Sequence, residues 1–189
     1  MDFREITDSW FVTFKDRCPD NIILWKIDRV TEGILKAVEV LIPVEEELRE
    51  IENLTGVIEK PTDLANKLRT FVSCKGQHYI ITKKLKVLAI LGWGEESHIL
   101  HPYMLFNEEI RSKHPKALVK LTKRVQEELE GFNASNGNKR MMNMVSKDNK
   151  RGIRLIENLG YSVNKQREIF NKEMSYYVFS KVISEHKRR

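Results

Sequence analysis

Two acidic residues and two histidines near the middle of the chain carry side chains that general acid–base chemistry uses. Glu95 and Glu96 stand at a predicted turn, and His98 and His101 follow in the next extended run. A carboxylate or imidazole can accept a proton from a group bound beside it, directly or through water. Glu95 and His98 are therefore our candidate catalytic residues. A charged turn whose histidines face solvent would contain the same residues, and the sequence leaves both interpretations open.

A basic segment, residues 111–117, precedes a predicted helix and could bind an anion. It reads Arg-Ser-Lys-His-Pro-Lys-Ala, and Pro115 suits a first helical position. Free amides and the dipole at a helix start attract phosphate, and basic side chains add charge. The segment contains no glycine, although close approach of a backbone to phosphate favours residues without Cβ. A solvated polar loop is the alternative.

The elements that must position these groups are organised around residues 141–161. Three methionines and Val145 form an apolar run that predicts a strand covered on both faces. Asp148 and Asn149 offer side-chain oxygens as caps for the helix that follows, and Gly160 suits its end. Tyr161 then begins a new extended run. The helix has one apolar face, made of Ile153, Ile156 and Leu159.

The rest of the chain alternates between extended and helical patterns. Helices are predicted at residues 6–16, 44–56, 115–130 and from residue 61 to at least 71, with a flexible connector at 131–139. Strands are predicted at residues 34–44, 97–106, 161–170 and 174–183, and a β-hairpin at 78–81 and 87–93. Pro102 indicates a bulge or an edge. This order favours an α/β (mixed α+β) fold: a central mixed, mostly antiparallel sheet with helices on both faces.

Composition limits the classes of partner. The chain has 189 residues, which is enough for one well-packed domain. Its net charge is +6, and it contains two cysteines. The positive charge is partly concentrated in the terminal HKRR, without a zinc-finger or helix-turn-helix spacing, so nucleic-acid binding is disfavoured. No apolar run reaches the roughly 20 residues of a membrane helix, and no metal-ligand spacing is present. The cysteine content fits a cytoplasmic protein with reduced thiols.

The element order, together with residues 144–149 and Leu159-Gly160-Tyr161, resembles the GNAT superfamily of acyl-CoA-dependent N-acyltransferases. More closely, AILGW, the segment around Arg111 and the 141–161 stretch resemble a phage branch of GNAT-like proteins. That branch includes an internal virion protein of short-tailed coliphages. The resemblance covers roughly residues 34–183 as topology.

The resemblance implies that acetyl-CoA or coenzyme A is the cofactor. Its pyrophosphate would lie at the start of the central helix, and an amine-bearing small molecule or protein would accept the acetyl group. The positions that match the cofactor-binding pattern are Phe106, Asn107, Arg111, Ser112, Lys113, His114, Lys116, Ala117 and Asn149. No metal site is implied.

Two departures from the family pattern leave two hypotheses. The pyrophosphate segment lacks glycine, and the position of the tyrosine that many members use to protonate the leaving thiolate is Ile156. The first hypothesis is an acetyltransferase in the cytoplasm, that of the host for a phage-encoded protein. The second is a non-catalytic protein on the same fold that binds virion proteins.

The domain organisation is predicted as one domain with two short additions. Residues 31–185 form the acyltransferase-like domain, residues 1–30 an N-terminal extension packed on it, and residues 186–189 a basic tail. The extension could cover the acceptor cleft or form a homodimer contact.

Overall fold

The computed structural model describes residues 12–27, 40–55, 63, 76–84, 86–136 and 140–182, and its strands form one mixed sheet. The strands are β1 (Val12–Cys18), β2 (Ile22–Ile27), β3 (Gly76–Lys83), β4 (Lys86–Glu96), β5 (Ile99–Phe106), β6 (Arg140–Ser146), β7 (Ser162–Asn171) and β8 (Met174–Val182). The helices are α1 (Glu45–Thr55), α2 (Glu108–Lys113), α3 (Pro115–Asn136) and α4 (Lys150–Asn158).

The described sheet has eight strands in the order β1-β2-β3-β4-β5-β6-β8-β7. Neighbouring strands are antiparallel except β5 and β6, which run parallel because α3 crosses between them. The predicted fold class, a mostly antiparallel mixed sheet with helices, is confirmed. Strands β1 and β2 continue this sheet through the pairing of β2 with β3.

The core lies between the central strands and helices α3 and α4. Strand β4 is buried from Val87 to Gly94, as expected for a strand covered on both faces. Helix α3 buries one face against the sheet because its apolar residues recur at helical spacing. The buried apolar residues of α3 are Leu118, Leu121, Val125 and Leu129, and Thr122 and Gln126 are buried with them.

The unit at residues 141–161 has the predicted form. The Asn149 side chain caps α4 by accepting a hydrogen bond from the Gly152 amide at 2.8 Å. Gly160 has φ +82°, the left-handed conformation that favours glycine at a helix end. Tyr161 is buried, and its hydroxyl donates to Gln126 Oε1 at 2.8 Å. These contacts fix the position of Asn149 at the end of β6.

Three predicted elements are wrong where the structure describes them. Residues 12–16, predicted as the end of a helix, lie in β1, because this segment pairs antiparallel with β2 through a tight turn at Pro19–Asn21. Residues 131–136, predicted as connector, continue α3, and Phe132 packs near Trp93 with ring centroids 6.3 Å apart. Residues 40–44 of the predicted strand 34–44 are not extended in the sheet.

Other predictions fall partly outside the described residues. These are the first part of the 6–16 helix, residues 34–39 of the predicted strand, and most of the helix from residue 61. The predicted hairpin is β3–β4, and the strands predicted at 97–106, 161–170 and 174–183 correspond to β5, β7 and β8.

Candidate active site

A cleft opens between β5 and β6 because these parallel strands separate. In the described strands their pairing is confined to Ile99 with Arg140 and Leu100 with Met141. Beyond it the Asn143 side chain donates to the Pro102 carbonyl at 2.8 Å and takes the place of a backbone partner. Proline has no N–H, so Pro102 cannot donate a backbone hydrogen bond to β6. The edge predicted at Pro102 is therefore the side of β5 on which the sheet opens.

The inner part of the cleft has a volume of about 160 Å³ and is mainly apolar. Phe106 and Met104 from β5 face Val145 from β6, and Ile156 from α4 closes the end. Along a strand, alternate residues direct their backbone groups to the same side. The Pro102 carbonyl and the Phe106 amide both form hydrogen bonds on the cleft side of β5. The amide of Met104, which lies between these two residues, therefore faces the cleft as well.

A second cavity, of about 230 Å³, adjoins the cleft, and three arginines contribute to its mostly apolar lining. Arg111 from α2 and Arg151 and Arg154 from α4 contribute to it, and Arg151 and Arg154 are exposed. Phe106 and Asn149 line both cavities, so the apolar cleft and the arginine cavity lie side by side. Helix α4 thus contributes both an apolar surface and two cations.

Three carboxylates of helix α1 contact this site. Glu46 Oε2 accepts from Arg111 Nη1 at 3.0 Å, and Glu47 Oε2 accepts from the Phe106 amide at 2.8 Å. One turn further on, Glu50 Oε1 accepts from Asn149 Nδ2 at 2.9 Å. Residues 46, 47 and 50 share one side of a helix, so their spacing brings all three to the cleft.

The cleft perturbs these carboxyl groups in different directions. Burial raises the pKa of Glu50 to about 7, against the opposing effect of its hydrogen bonds with Asn149 and the Ser146 backbone. Burial also raises the pKa of Glu47 well above its usual range, although the Phe106 amide opposes this. The pKa of Glu46 is lowered, by a backbone hydrogen bond first and by Arg111 beside it.

Three of the predicted cofactor-binding residues, Phe106, Arg111 and Asn149, meet at the two cavities. Asn107 instead is buried and caps α2, accepting from the Ile110 amide at 3.1 Å and donating to the Val87 carbonyl. Its side chain therefore holds α2 in place.

The remaining predicted residues of the basic segment face elsewhere. Ser112 donates to the Glu108 carbonyl at 2.6 Å, and Lys113 and Lys116 are exposed. His114 lies 2.9 Å from Lys83 Nζ, and Ala117 packs beside the core. The segment is helical almost throughout, so it forms α2 and the start of α3 in place of an open loop.

The predicted catalytic pair lies at the other end of β5. Glu95 pairs with Leu100 in the sheet, and His98 is exposed in the turn between β4 and β5 with φ +64°. Neither residue lines the cleft or the arginine cavity. Ile156, at the position of the family's acid, is buried.

Sequence reasoning missed the acidic side of α1 and the two arginines of α4. The acidic residues of α1 were visible in VEEELREIE, at positions 46, 47 and 50. The sequence alone does not distinguish an acidic helix face that meets solvent from one that meets a cleft. Among the described residues no cluster of three or more metal-ligating side chains occurs. No helix in the described part of the chain has the length and apolarity to span a membrane.

The residues present fit coenzyme A in part. An apolar cleft beside three arginines matches a molecule with an apolar arm and phosphates, and the exposed Arg151 and Arg154 suit the anionic end. The α1 carboxylates already occupy Arg111, the Phe106 amide and Asn149, so a coenzyme phosphate that binds Arg111 would compete with Glu46 for it.

The sequence matches no protein-family model and no curated protein sequence. Solved structures do match. A GNAT-family acetyltransferase from Bacillus anthracis has a TM-score of 0.57 at 12% identity, covering 90% of this chain and 98% of that one. A putative acetyltransferase from Salmonella typhimurium, solved with acetyl-CoA, has 0.57 at 12% identity, covering 88% and 96%. A spermidine N-acetyltransferase variant from Vibrio cholerae has 0.54 at 13% identity, covering 89% and 97%.

These structures share the open sheet and its flanking helices with this chain over most of their length. At such identities the likeness concerns the fold. The chain therefore has the fold of the GNAT-family acetyltransferases.

Proposed function

We propose that this protein is an N-acetyltransferase that transfers an acetyl group from acetyl-CoA to an amine. The observation that carries the proposal is that the β5–β6 cleft and the arginine cavity lie side by side, with Phe106 and Asn149 lining both. One part offers apolar contacts for the coenzyme arm and the other offers cations for its phosphates.

Each part of the site would have a separate role. Arg111, Arg151 and Arg154 would hold the phosphates, because guanidinium groups bind phosphate through charge-assisted hydrogen bonds. The Met104 amide, facing the cleft, would donate to a carbonyl bound there. When bound, acetyl-CoA supplies an acetyl group already activated as a thioester, and the protein supplies position and proton removal.

Glu95 and His98 remain predicted proton acceptors. Their position in and beside the β4–β5 turn places them beyond the paired end of β5 and β6, so substrate would have to reach that end of the strand. With Ile156 at the position of the family's acid, the leaving thiolate would receive its proton from another group or from water.

The acceptor amine is the finer part of the proposal. Several carboxylates surround a third cavity, of about 630 Å³, beside the cleft, and they favour an amine that carries further positive charge. Spermidine, the substrate named for one structural neighbour, is therefore the first acceptor to test. A peptide with a free N-terminus and a lysine-containing peptide complete the set.

A second candidate is a non-catalytic, phage-type protein that uses this fold to bind virion proteins. The occupation of Arg111, Phe106 and Asn149 by α1 carboxylates favours it, because these groups are not free for a coenzyme. It predicts stable association with virion proteins and no affinity for acetyl-CoA.

Isothermal titration with acetyl-CoA tests the proposal. We expect binding to the wild-type protein that weakens about 5–20-fold in Arg111→Ala and in Arg154→Ala, the loss of one or two charge-assisted contacts. Arg167→Ala, which removes an exposed arginine from β7, is the matched control and should bind within twofold of wild type. Absence of binding at millimolar acetyl-CoA would refute the acetyltransferase and leave the second candidate.

A further inference from the structure

Glu50 stands between two spaces that an acetyl transfer would need to connect. It lines the β5–β6 cleft and also the third cavity, of about 630 Å³, which opens beside it. Among the described residues, Glu50 and Asn149 alone are shared by both. A donor held in the cleft and an amine held in the third cavity would therefore meet at these two side chains.

The Glu50 side chain is held in this place from two directions. Asn149 Nδ2 donates to its Oε1 at 2.9 Å, and Asn149 is itself fixed as the cap of α4. Helix α1 is attached to β8 at the same level, because the Tyr176 hydroxyl lies 3.0 Å from Asn53 Oδ1 and 3.4 Å from the Glu50 carbonyl. The carboxyl group thus has a defined position at the junction.

The surroundings of Glu50 favour its protonated form more than a solvated site would. Burial raises its pKa to about 7, and the negative charge of Glu46 adds to this effect, while Asn149 opposes it. A group with a pKa near neutrality is suited to accept and return a proton at physiological pH. The other titratable groups that line the third cavity or interact with Glu50, from α1, the β6–α4 turn, the β7–β8 turn and β8, are Glu47, Arg49, Glu52, Asp148, Lys172, Glu173 and Tyr176.

We infer that Glu50 is the general base of this acetyl transfer and receives the proton of an amine that enters through the third cavity. The inference rests on the proposed function, in which the roles of Arg111 and of the cleft stay the same. It assigns the proton transfer to the place where the β5–β6 cleft and the third cavity meet. Glu95 and His98 lie at the opposite end of the cleft opening.

The step balances in atoms and electrons. The ammonium gives one proton to the Glu50 carboxylate, and the free amine pair forms a bond to the acetyl carbon. The bond between that carbon and sulfur breaks, and its electron pair stays with sulfur as a thiolate. Glu50 passes this first proton to water, which restores the carboxylate. The acylated nitrogen then loses its second proton to Glu50, from which that proton reaches the thiolate.

The test is the pH dependence of acetyl transfer by Glu50→Gln. We expect kcat to fall about 100-fold or more, within the range of general-base contributions, with acetyl-CoA affinity within threefold of wild type. In the wild-type protein kcat/KM should rise with pH up to about 7 as Glu50 ionises, and this limb should disappear in the variant. Glu50→Asp should restore part of kcat.

Glu45→Gln is the matched control, because Glu45 lies on the same helix but is exposed and pairs with Arg49. It should retain the wild-type rate and pH profile. Turnover by Glu50→Gln within threefold of wild type, with the same pH limb, would overturn the assignment while leaving the acetyltransferase intact. A wild-type protein that binds no acetyl-CoA, or acetylates none of the three amines, would overturn the proposed function and the base role with it.

Discussion

The Arg111 guanidinium lies 3.0 Å from a carboxylate oxygen of Glu46 and 2.6 Å from one of Glu108. The cation best placed to meet a coenzyme phosphate is thus already paired with two anions. Arg111 is mostly covered, whereas the Glu46 side chain is 49% exposed, so the acidic partner is the one that can withdraw. Helix α1 and a phosphate would compete for the same guanidinium.

This competition predicts that Glu46→Gln binds acetyl-CoA more tightly than wild type. Loss of one negative charge beside Arg111 should lower Kd about 3–10-fold, since a partly exposed ion pair contributes on the order of 1 kcal/mol. The gain should shrink in high salt because exposed charges are screened. Titration of the variant and of Glu45→Gln at two salt concentrations checks this. Weaker binding by Glu46→Gln would mean that Glu46 positions Arg111 for the ligand.

The unit around Asn149 was predictable because its signals are local. An apolar run, a capping side chain, helical spacing and Gly160 each report on residues a few positions away. The contacts of α1 with Arg111, Phe106 and Asn149 join residues 59 to 99 positions apart, and no local pattern encodes such a pairing. The prediction for the basic segment was incomplete for a different reason. Its charge is visible in the sequence, but residues 111–113 fold into α2, which turns Lys113 away from the arginine cavity.

Gly152→Ala should disturb both the cap of α4 and the position of Glu50. A Cβ at this position would lie 2.7–2.8 Å from the Asn149 side-chain atoms, closer than carbon contacts allow. Asn149 would have to move and give up its bonds to the Gly152 amide and to Glu50. We expect the free energy of unfolding to fall by about 1–2 kcal/mol, typical of a lost cap, in spite of alanine's better helix propensity.

Denaturant unfolding measures this change, and Arg151→Ala, one position earlier on the same helix, is its stability control. That exposed arginine should change the free energy of unfolding by less than about 0.5 kcal/mol. If Gly152→Ala proves as stable as wild type, the Asn149 cap does not contribute as its geometry indicates.

Glu50→Gln should stabilise the protein increasingly as the pH rises. The folded protein holds the Glu50 proton up to about pH 7, whereas the unfolded chain releases it near the usual carboxyl pKa. Stability from this group is therefore complete below about pH 4.5 and is lost as the pH rises through about 7. Glutamine does not ionise, so the variant does not lose this stability. Its free energy of unfolding relative to wild type should therefore increase by about 2–3 kcal/mol between pH 4.5 and 8. Urea unfolding of both proteins across this range measures it, and a constant difference would contradict the buried, protonated carboxyl.

A buried histidine on the far side of the sheet's centre gives the opposite pH dependence. His78 on β3 and Tyr103 on β5 are each paired with Gly92 of β4, and their rings approach over that glycine with centroids 5.7 Å apart. A Cβ on Gly92 would lie 2.3 Å from the Gln77 carbonyl oxygen and 3.2 Å from His78 Nδ1, so a glycine is needed beside this ring. His78 Nδ1 and the Tyr103 hydroxyl are hydrogen-bonded, and burial lowers the pKa of His78 to about 4.

Because His78 stays neutral in the folded protein and becomes charged in the unfolded chain below about pH 6.5, the unfolded state binds the extra proton. The stability it provides is complete above that pH and is lost as the pH falls toward 4. His78→Gln should lower the free energy of unfolding at pH 7 by about 1–3 kcal/mol, through lost packing and a poorer bond to Tyr103. It should also reduce the loss of stability between pH 6.5 and 4 by about 2–3 kcal/mol. A His78→Gln slope equal to that of wild type would show that His78 takes up its proton without unfolding.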